Sequence, residues 1–256
     1  MPAPTTYKSR ELIVNREEKS LCGKLFTPAN ASQEPLPALV CGHAFGANYL
    51  SCVPYACALV ELGFAVYCFD FCGGGYAVKS AGNPLEMTIA TEAEDVHAAV
   101  ETLCTSESID EQRVFVLGEG QGGLATCLYA DAYPLEAAGI VLVHPTLNLH
   151  DQTRKLFPTK KNIPTSYRHQ GMRVGRAFGE VAWDTNPFEH MQRFEGDVLL
   201  IHGDEDTVVS INYSRRAANV FTYAWLEVVR HGRHTFKGAT QEQCIEAIRT
   251  FLRAAM

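Results

Sequence analysis

The stretch VFVLGEGQGG, residues 114–123, sets an apolar β-type run against a Gly-x-Gly-x-Gly turn, and a helix-like segment follows it. Glycines at that spacing suit a tight strand-to-helix turn. Its middle residue, Gly120, has no side chain. Gly118, Gly120 and Gly123 also fit the Gly-x-Gly-x-x-Gly spacing of a dinucleotide site. That fingerprint belongs after the first strand, with an acid ~20 residues on at the end of the second. Here the turn follows a mid-chain strand, and Glu136, the only acid at that distance, precedes a strand. The nucleotide reading is set aside.

Working outward, "ELIVN" (11–15) and "SLCGKLFTP" (20–28) read as an antiparallel strand pair, followed by a loop over 29–37. "ALVCG" (38–42), "FAVYCFDF" (64–71), "RVFVLG" (113–118), "AAGIVLVHP" (137–145), "DVLLIHG" (197–203) and "AWLEVVRHG" (224–232) read as further strands. Helices are predicted over 52–62, 85–104 and 122–132. In the second, Ile89, Ala93, Val96, Val100 and Leu103 form one apolar face, with Glu92, Glu94 and Asp95 off it. Thr240 and Gln243 suggest a capping box for a closing helix that buries Ile245, Ile248 and Phe251. Strands alternating with helices predict one α/β domain over residues 1–256, with a mostly parallel sheet covered on both faces. Residues 147–190 break the rhythm and are expected to form a small inserted lid.

The chain of 256 residues carries a formal charge of −7 with 20% charged residues. That balance argues against nucleic acid or an anionic membrane as partner. No apolar run approaches the ~20 residues of a membrane span, and "MPAPTTYKSR" lacks the apolar centre of a secretory leader. Nine cysteines, several inside apolar runs and none in a Cys-x-x-Cys pair, suit reduced, buried thiols. A cytoplasmic protein without metal or other cofactor is the expectation. The sequence leaves the oligomeric state open.

Four polar or glycine-rich segments directly follow strands: "GHAFGAN" (42–48), "GEGQGG" (118–123), "HGDEDTVV" (202–209) and "HGRHTF" (231–236). In an open α/β sheet they converge on one rim, where active sites lie. With "FDFCGGG" (69–75), these strings resemble the α/β-hydrolase superfamily over nearly the whole chain. Within that superfamily the chain resembles small bacterial cinnamoyl or feruloyl esterases and serine aminopeptidase-like hydrolases. The family order of nucleophile, acid and histidine falls on position 120, Asp206 and His234. The resemblance implies His234 as general base, Asp206 as its orienting acid with Asp204 as rival, and an oxyanion hole from the amides of Phe45 and Gln121.

The departure from the family is Gly120, where serine is expected. Three readings stay open: a non-catalytic, ligand-binding pseudohydrolase; an enzyme that activates water instead; and a serine lost by sequence change. Other histidines and acids read mainly as structural. His43 shapes the loop after its strand, Glu119 accepts hydrogen bonds beside the turn, and His144, His202 and His231 end strands without metal-ligand spacing. Within 147–180, Arg154, Lys155, Lys160, Lys161, Arg168, Arg173 and Arg176 face only Asp151 and Glu180, a net +5. A basic lid on an acidic body suggests a small-molecule ester or anionic aromatic ligand. Phe157, Tyr167, Phe178 and Trp183 are candidate aromatic walls for its pocket.

Overall fold

The computed structural model describes residues 7–30 and 34–255. The reading of residues 1–6, and of 31–33 within the 29–37 loop, lies outside the described residues. Among the described residues, ten strands and seven α-helices follow one another. The strands are β1 (Tyr7–Arg16), β2 (Lys19–Pro28), β3 (Leu36–Gly42), β4 (Ala65–Phe69), β5 (Ile109–Glu119), β6 (Gly139–Val143), β7 (Ser166–His169), β8 (Met172–Gly175), β9 (Asp197–Gly203) and β10 (Ala224–Val229). The helices are α1 (Val53–Val60), α2 (Ile89–Cys104), α3 (Gln121–Ala132), α4 (Leu149–Leu156), α5 (Arg176–Asp184), α6 (Ile211–Val220) and α7 (Ala239–Ala254).

Eight strands form one sheet in the order β1-β2-β4-β3-β5-β6-β9-β10. The β1–β2 and β2–β4 pairs are antiparallel and the rest parallel. The central strands are apolar on both faces because both are covered. Leu39, Cys41, Phe115, Leu117, Val141 and Val143 point to one side, toward α1 and α7. Their strand neighbours Val40, Val116, Ile140 and Leu142 point to the other, toward α2 and α3. This is the period of two expected of strands, doubled by burial on each face.

From β3 the chain moves outward to β4, then returns to place β5 on the opposite side of β3. The loops leaving β3 and β5 therefore part company above neighbouring strand ends, which opens a crevice there. The register aligns Gly42 with Gly118, and Glu119 with Val143 and Ile201, so the carboxyl ends share one rim.

Several sequence expectations shift. Helix α2 begins at Ile89, four residues late, because Thr88 caps it: the Thr91 amide donates to Thr88 Oγ1 and the Thr88 amide to Thr91 Oγ1. Glu92 and Asp95 are buried rather than on an exposed face. Asp95 contacts Arg16 Nε at 2.7 Å and accepts from the Cys72 amide at 2.8 Å. Glu92 accepts from Gln121 Nε2 at 2.7 Å. Helix α7 starts two residues early, at Ala239 with Gly238 as its N-cap, so Thr240 is inside it and bonds back to the Lys237 backbone. Its buried residues are Cys244, Ile248 and Leu252, while Ile245 and Phe251 are only partly covered. Between β6 and β9 the interrupted stretch folds as α4, the β7–β8 hairpin and α5.

Candidate active site

Strand β5 ends at Glu119 and α3 starts at Gln121, so Gly120 alone makes the turn, at φ +56° and ψ −115°. Such a conformation is left to glycine without strain. The Gly120 amide donates to the Val143 carbonyl at 3.0 Å, and its carbonyl accepts from the Thr146 amide at 2.9 Å. Gly122 is pressed under the β3 loop: a Cβ there would lie 2.6 Å from the Gly42 and His43 carbonyl oxygens. Buried His43 braces that loop. Its Nδ1 donates to the Ala44 carbonyl at 2.8 Å and its Nε2 accepts from the Phe71 amide at 3.1 Å. Burial pulls its pKa down, which keeps it neutral. Among the described residues, the Phe45 and Gln121 amides donate to no protein acceptor.

On the loops after β9 and β10, His234 Nδ1 lies 2.8 Å from Asp206 Oδ2. The same oxygen is 3.1 Å from His202 Nε2, and Oδ1 accepts from the Val208 and Val209 amides at 2.8 and 2.9 Å. Burial alone would raise this carboxyl. Hydrogen bonds from His202 and His234, then the Val209 amide, overcome it and hold the group well below the ordinary carboxylate range. Asp206 thus holds its charge, and a proton on His234 Nδ1 leaves Nε2 as the free base nitrogen. Asp204 is not a partner of His234: its Oδ1 accepts from the His231 amide at 2.7 Å.

Gly120, Gln121, Ala44, Phe45, Thr146 and His234 border a cavity of about 380 Å3, with Glu119 and His144 also in its wall. His144 Nε2 is 3.3 Å from Glu119 Oε1, and its ring centroid is 4.8 Å from that of His234. Gln170, from the β7–β8 turn, closes part of the opening, and His169 packs on the Phe45 ring at 4.8 Å. A larger concavity of about 670 Å3 lies between β10 and α7, floored by Leu199, Trp225 and Phe251 and edged by Asp197, Glu227 and Glu246. Its lining holds no histidine, whereas His144 and His234 both border the smaller cavity.

The sequence model of the family described as serine aminopeptidase, S33, matches residues 33–173. The chain belongs to this family of α/β-hydrolases. It is 32% identical over 145 residues to uncharacterized protein PA2218 of Pseudomonas aeruginosa, covering 56% of this chain and 37% of that protein. It is 22% identical over 182 residues to the acylamino-acid-releasing enzyme of Rattus norvegicus, covering 70% and 25%. The chain thus spans well under half the length of these curated relatives. Est1E from Butyrivibrio proteoclasticus, with ferulic acid bound, superposes with a TM-score of 0.86 at 21% identity, over 95% of this chain and 98% of that one. At that identity the likeness is one of fold.

In this α/β-hydrolase every residue singled out for the site, Gly120, Asp206, His234, Phe45 and Gln121, comes to one rim. The aromatic walls do not form. Phe178 is buried against Phe45 and His169, Tyr167 packs on Phe157, and the Trp183 ring carries the Arg154 guanidinium at 4.1 Å. Two of the insertion's cations are engaged in ion pairs: Lys160 with Asp184 at 2.6 Å and Arg176 with Glu180 at 2.7 Å. Three contributors escaped the sequence reading. His202 had looked like a strand-end histidine, but its Nε2 proton is shared by the Val209 carbonyl and Asp206, and its Nδ1 accepts from Ser214. Glu92 looked like a surface acid. Thr146 had only its place just past β6 to mark it.

Proposed function

We propose that this protein hydrolyses small carboxylic esters by direct attack of water, without an acyl-enzyme. The observation that carries the reading is the Asp206–His234 pair opening on the cavity over Gly120. An ester carbonyl oxygen placed against the Phe45 and Gln121 amides is stabilised as it gains charge. His234 Nε2 takes a proton from water, and the hydroxide forms the new C–O bond. The tetrahedral intermediate then expels the alkoxide, which receives that proton from His234. Asp206 stabilises the imidazolium in between. Residues 147–190 act as the lid, through Gln170 and the His169 contact to Phe45. Among the described residues no Lys or Arg lines the cavity, which favours an uncharged ester over an anionic ligand.

In a serine protease, losing the nucleophile costs ~10⁶ in turnover, yet ~10³–10⁴ over water survives from the oxyanion hole and binding. Slow but real hydrolysis is the expectation. The test is a p-nitrophenyl ester panel on native, His234→Ala and Gly120→Ser proteins, with a fluorophosphonate probe. Native protein should exceed His234→Ala by about 10²-fold or more and take no label. Gly120→Ser should be labelled and faster. It should also melt lower, because a Cβ at φ +56° would meet Ala44 Cβ at 3.0 Å. Backbone strain of ~1–3 kcal/mol lowers Tm by several degrees at this size, about 2–4 °C per kcal/mol. Native turnover no better than His234→Ala overturns the reading.

A further inference from the structure

We propose that Thr146 is a catalytic residue of this site, its hydroxyl holding the attacking water beside Gly120 for His234; this rests on the water route above. A Cβ built on Gly120 has three nearest heavy atoms: Ala44 Cβ at 3.0 Å, Ala44 Cα at 3.5 Å and Thr146 Oγ1 at 3.7 Å. Only the last is polar. The other hydroxyl-bearing residues of the cavity, Ser51 and Thr235, have no atom as near to that point.

Thr146 stands apart from its own kind. The buried threonines are Thr88, Thr126, Thr146 and Thr153. Thr88 accepts from the Thr91 amide, Thr126 donates to the Gly122 carbonyl and Thr153 to the Leu149 carbonyl. Among the described residues the Thr146 hydroxyl has no hydrogen-bond partner, although the residue is only 5% exposed. Its Oγ1 is not one of the fully buried, unpartnered polar atoms, so the hydroxyl opens on the cavity, where a water can reach it. Its backbone leaves little room to wander. The Thr146 amide is tied to the Gly120 carbonyl at 2.9 Å, its carbonyl accepts from the Leu149 amide at 3.3 Å, and Pro145 precedes it.

A hydroxyl offers one donor and two acceptor sites, and a bound water needs about two to four polar partners. A water beside Gly120 gives one hydrogen to His234 Nε2 and the other to Thr146 Oγ1. One of its two lone pairs then faces the carbonyl held at the Phe45 and Gln121 amides. Thr146 keeps its own proton throughout and forms no covalent bond. It does for water what a covalently tethered hydroxyl does for itself: it fixes the nucleophile against the base.

The test compares native protein with Thr146→Val, Thr146→Ser and His234→Ala on p-nitrophenyl butyrate, reading kcat, KM and the thermal midpoint. Thr146→Val keeps the shape and removes the hydroxyl, and kcat should fall about tenfold with little change in KM, the scale of one hydrogen bond. Thr146→Ser, which keeps the hydroxyl, should retain most of kcat, and Thr146→Ala serves if the valine variant fails to fold. Mass spectrometry after fluorophosphonate treatment should find no adduct on Thr146. A native kcat in Thr146→Val, or an adduct on Thr146, overturns the proposal alone. Native turnover at the His234→Ala level removes the water route and this assignment with it.

Discussion

His234–Asp206 and His144–Glu119 are both imidazole–carboxylate contacts on the same rim, with ring centroids 4.8 Å apart. They are built differently. Both oxygens of Asp206 are occupied, by two imidazoles and two backbone amides within 3.1 Å. Glu119 has one long contact, 3.3 Å to His144, and its Oε2 has no partner. His144 Nδ1 is likewise unpartnered, and the residue sits at φ +34°. Proximity of a histidine to an acid therefore does not mark an oriented base. What marks it is a carboxylate whose charge is fixed by enough other donors that its histidine has only one tautomer to adopt.

The hardest strike at that contrast is on Asp206 itself. Asp206→Ala strands two amides and two imidazoles in a buried site, and removing one partner of such a cluster typically costs ~3–5 kcal/mol. Urea titration measures it. Because the folded pKa of Asp206 is depressed, its contribution is fully present above the unfolded value, ~3.9. It is lost only as pH falls toward the lower folded one. The native-minus-variant difference should stay flat from pH 5 to 8. A loss below about 1 kcal/mol, the scale of a surface pair, erases the distinction between the two pairs.

A third carboxyl sharpens the rule from the opposite direction. Glu92 is buried with a single donor, Gln121 Nε2. Burial raises its pKa, and nearby Asp95 adds to that against the Gln121 bond, so the group is pushed up to about 8. Below the unfolded value of ~4.3 both states carry the proton, and pH has no effect through this group. Between there and about 8 the unfolded chain is ionised while the folded one is not. Stability should then fall with rising pH by up to ~1.4 kcal/mol per unit, and level off above. Glu92→Gln keeps a neutral partner for Gln121 and should remove that slope between pH 5 and 8. An identical slope in the variant assigns it to another group.

The strands of the central sheet and their shared rim were legible in the sequence because glycine and polar residues close apolar runs at each strand end. "DVLLIHG" is β9 residue for residue. That Gly120, Asp206 and His234 would meet on one rim was legible because their segments are local and their order along the chain is distinctive. What escaped was burial of polar groups. Glu92 and Asp95 fall off the apolar stripe of α2, yet Gln121 and Arg16 meet them from elements distant in sequence. A helical period reports which residues are apolar, not which polar residues find buried partners. Contacts inside the insertion escaped for a related reason: the Arg154 guanidinium lies on the Trp183 ring across 29 residues of chain, a pairing that composition does not show.

The smallest expected effect comes from the weaker pair. His144→Asn removes two ring nitrogens that lack hydrogen bonds and puts at φ +34° a residue type that tolerates positive φ better than most. Relief of backbone strain, ~1–3 kcal/mol where it is present, works against lost ring contacts with His234 and Phe236, whose centroids lie at 4.8 and 5.3 Å. The two terms nearly offset, so the urea midpoint should move by less than about 1 kcal/mol equivalent. Ester turnover should drop by well under the ~10²-fold typical of losing a general base. His144 packs its ring at a tilt of 56° to that of His234 and gives Asp206 no hydrogen bond, so its loss loosens the packing of His234 without changing the tautomer. A turnover as low as that of His234→Ala would instead place His144 among the proton-transfer groups, and the contrast between the saturated and the unsaturated carboxylate would no longer tell a working pair from a neighbouring one.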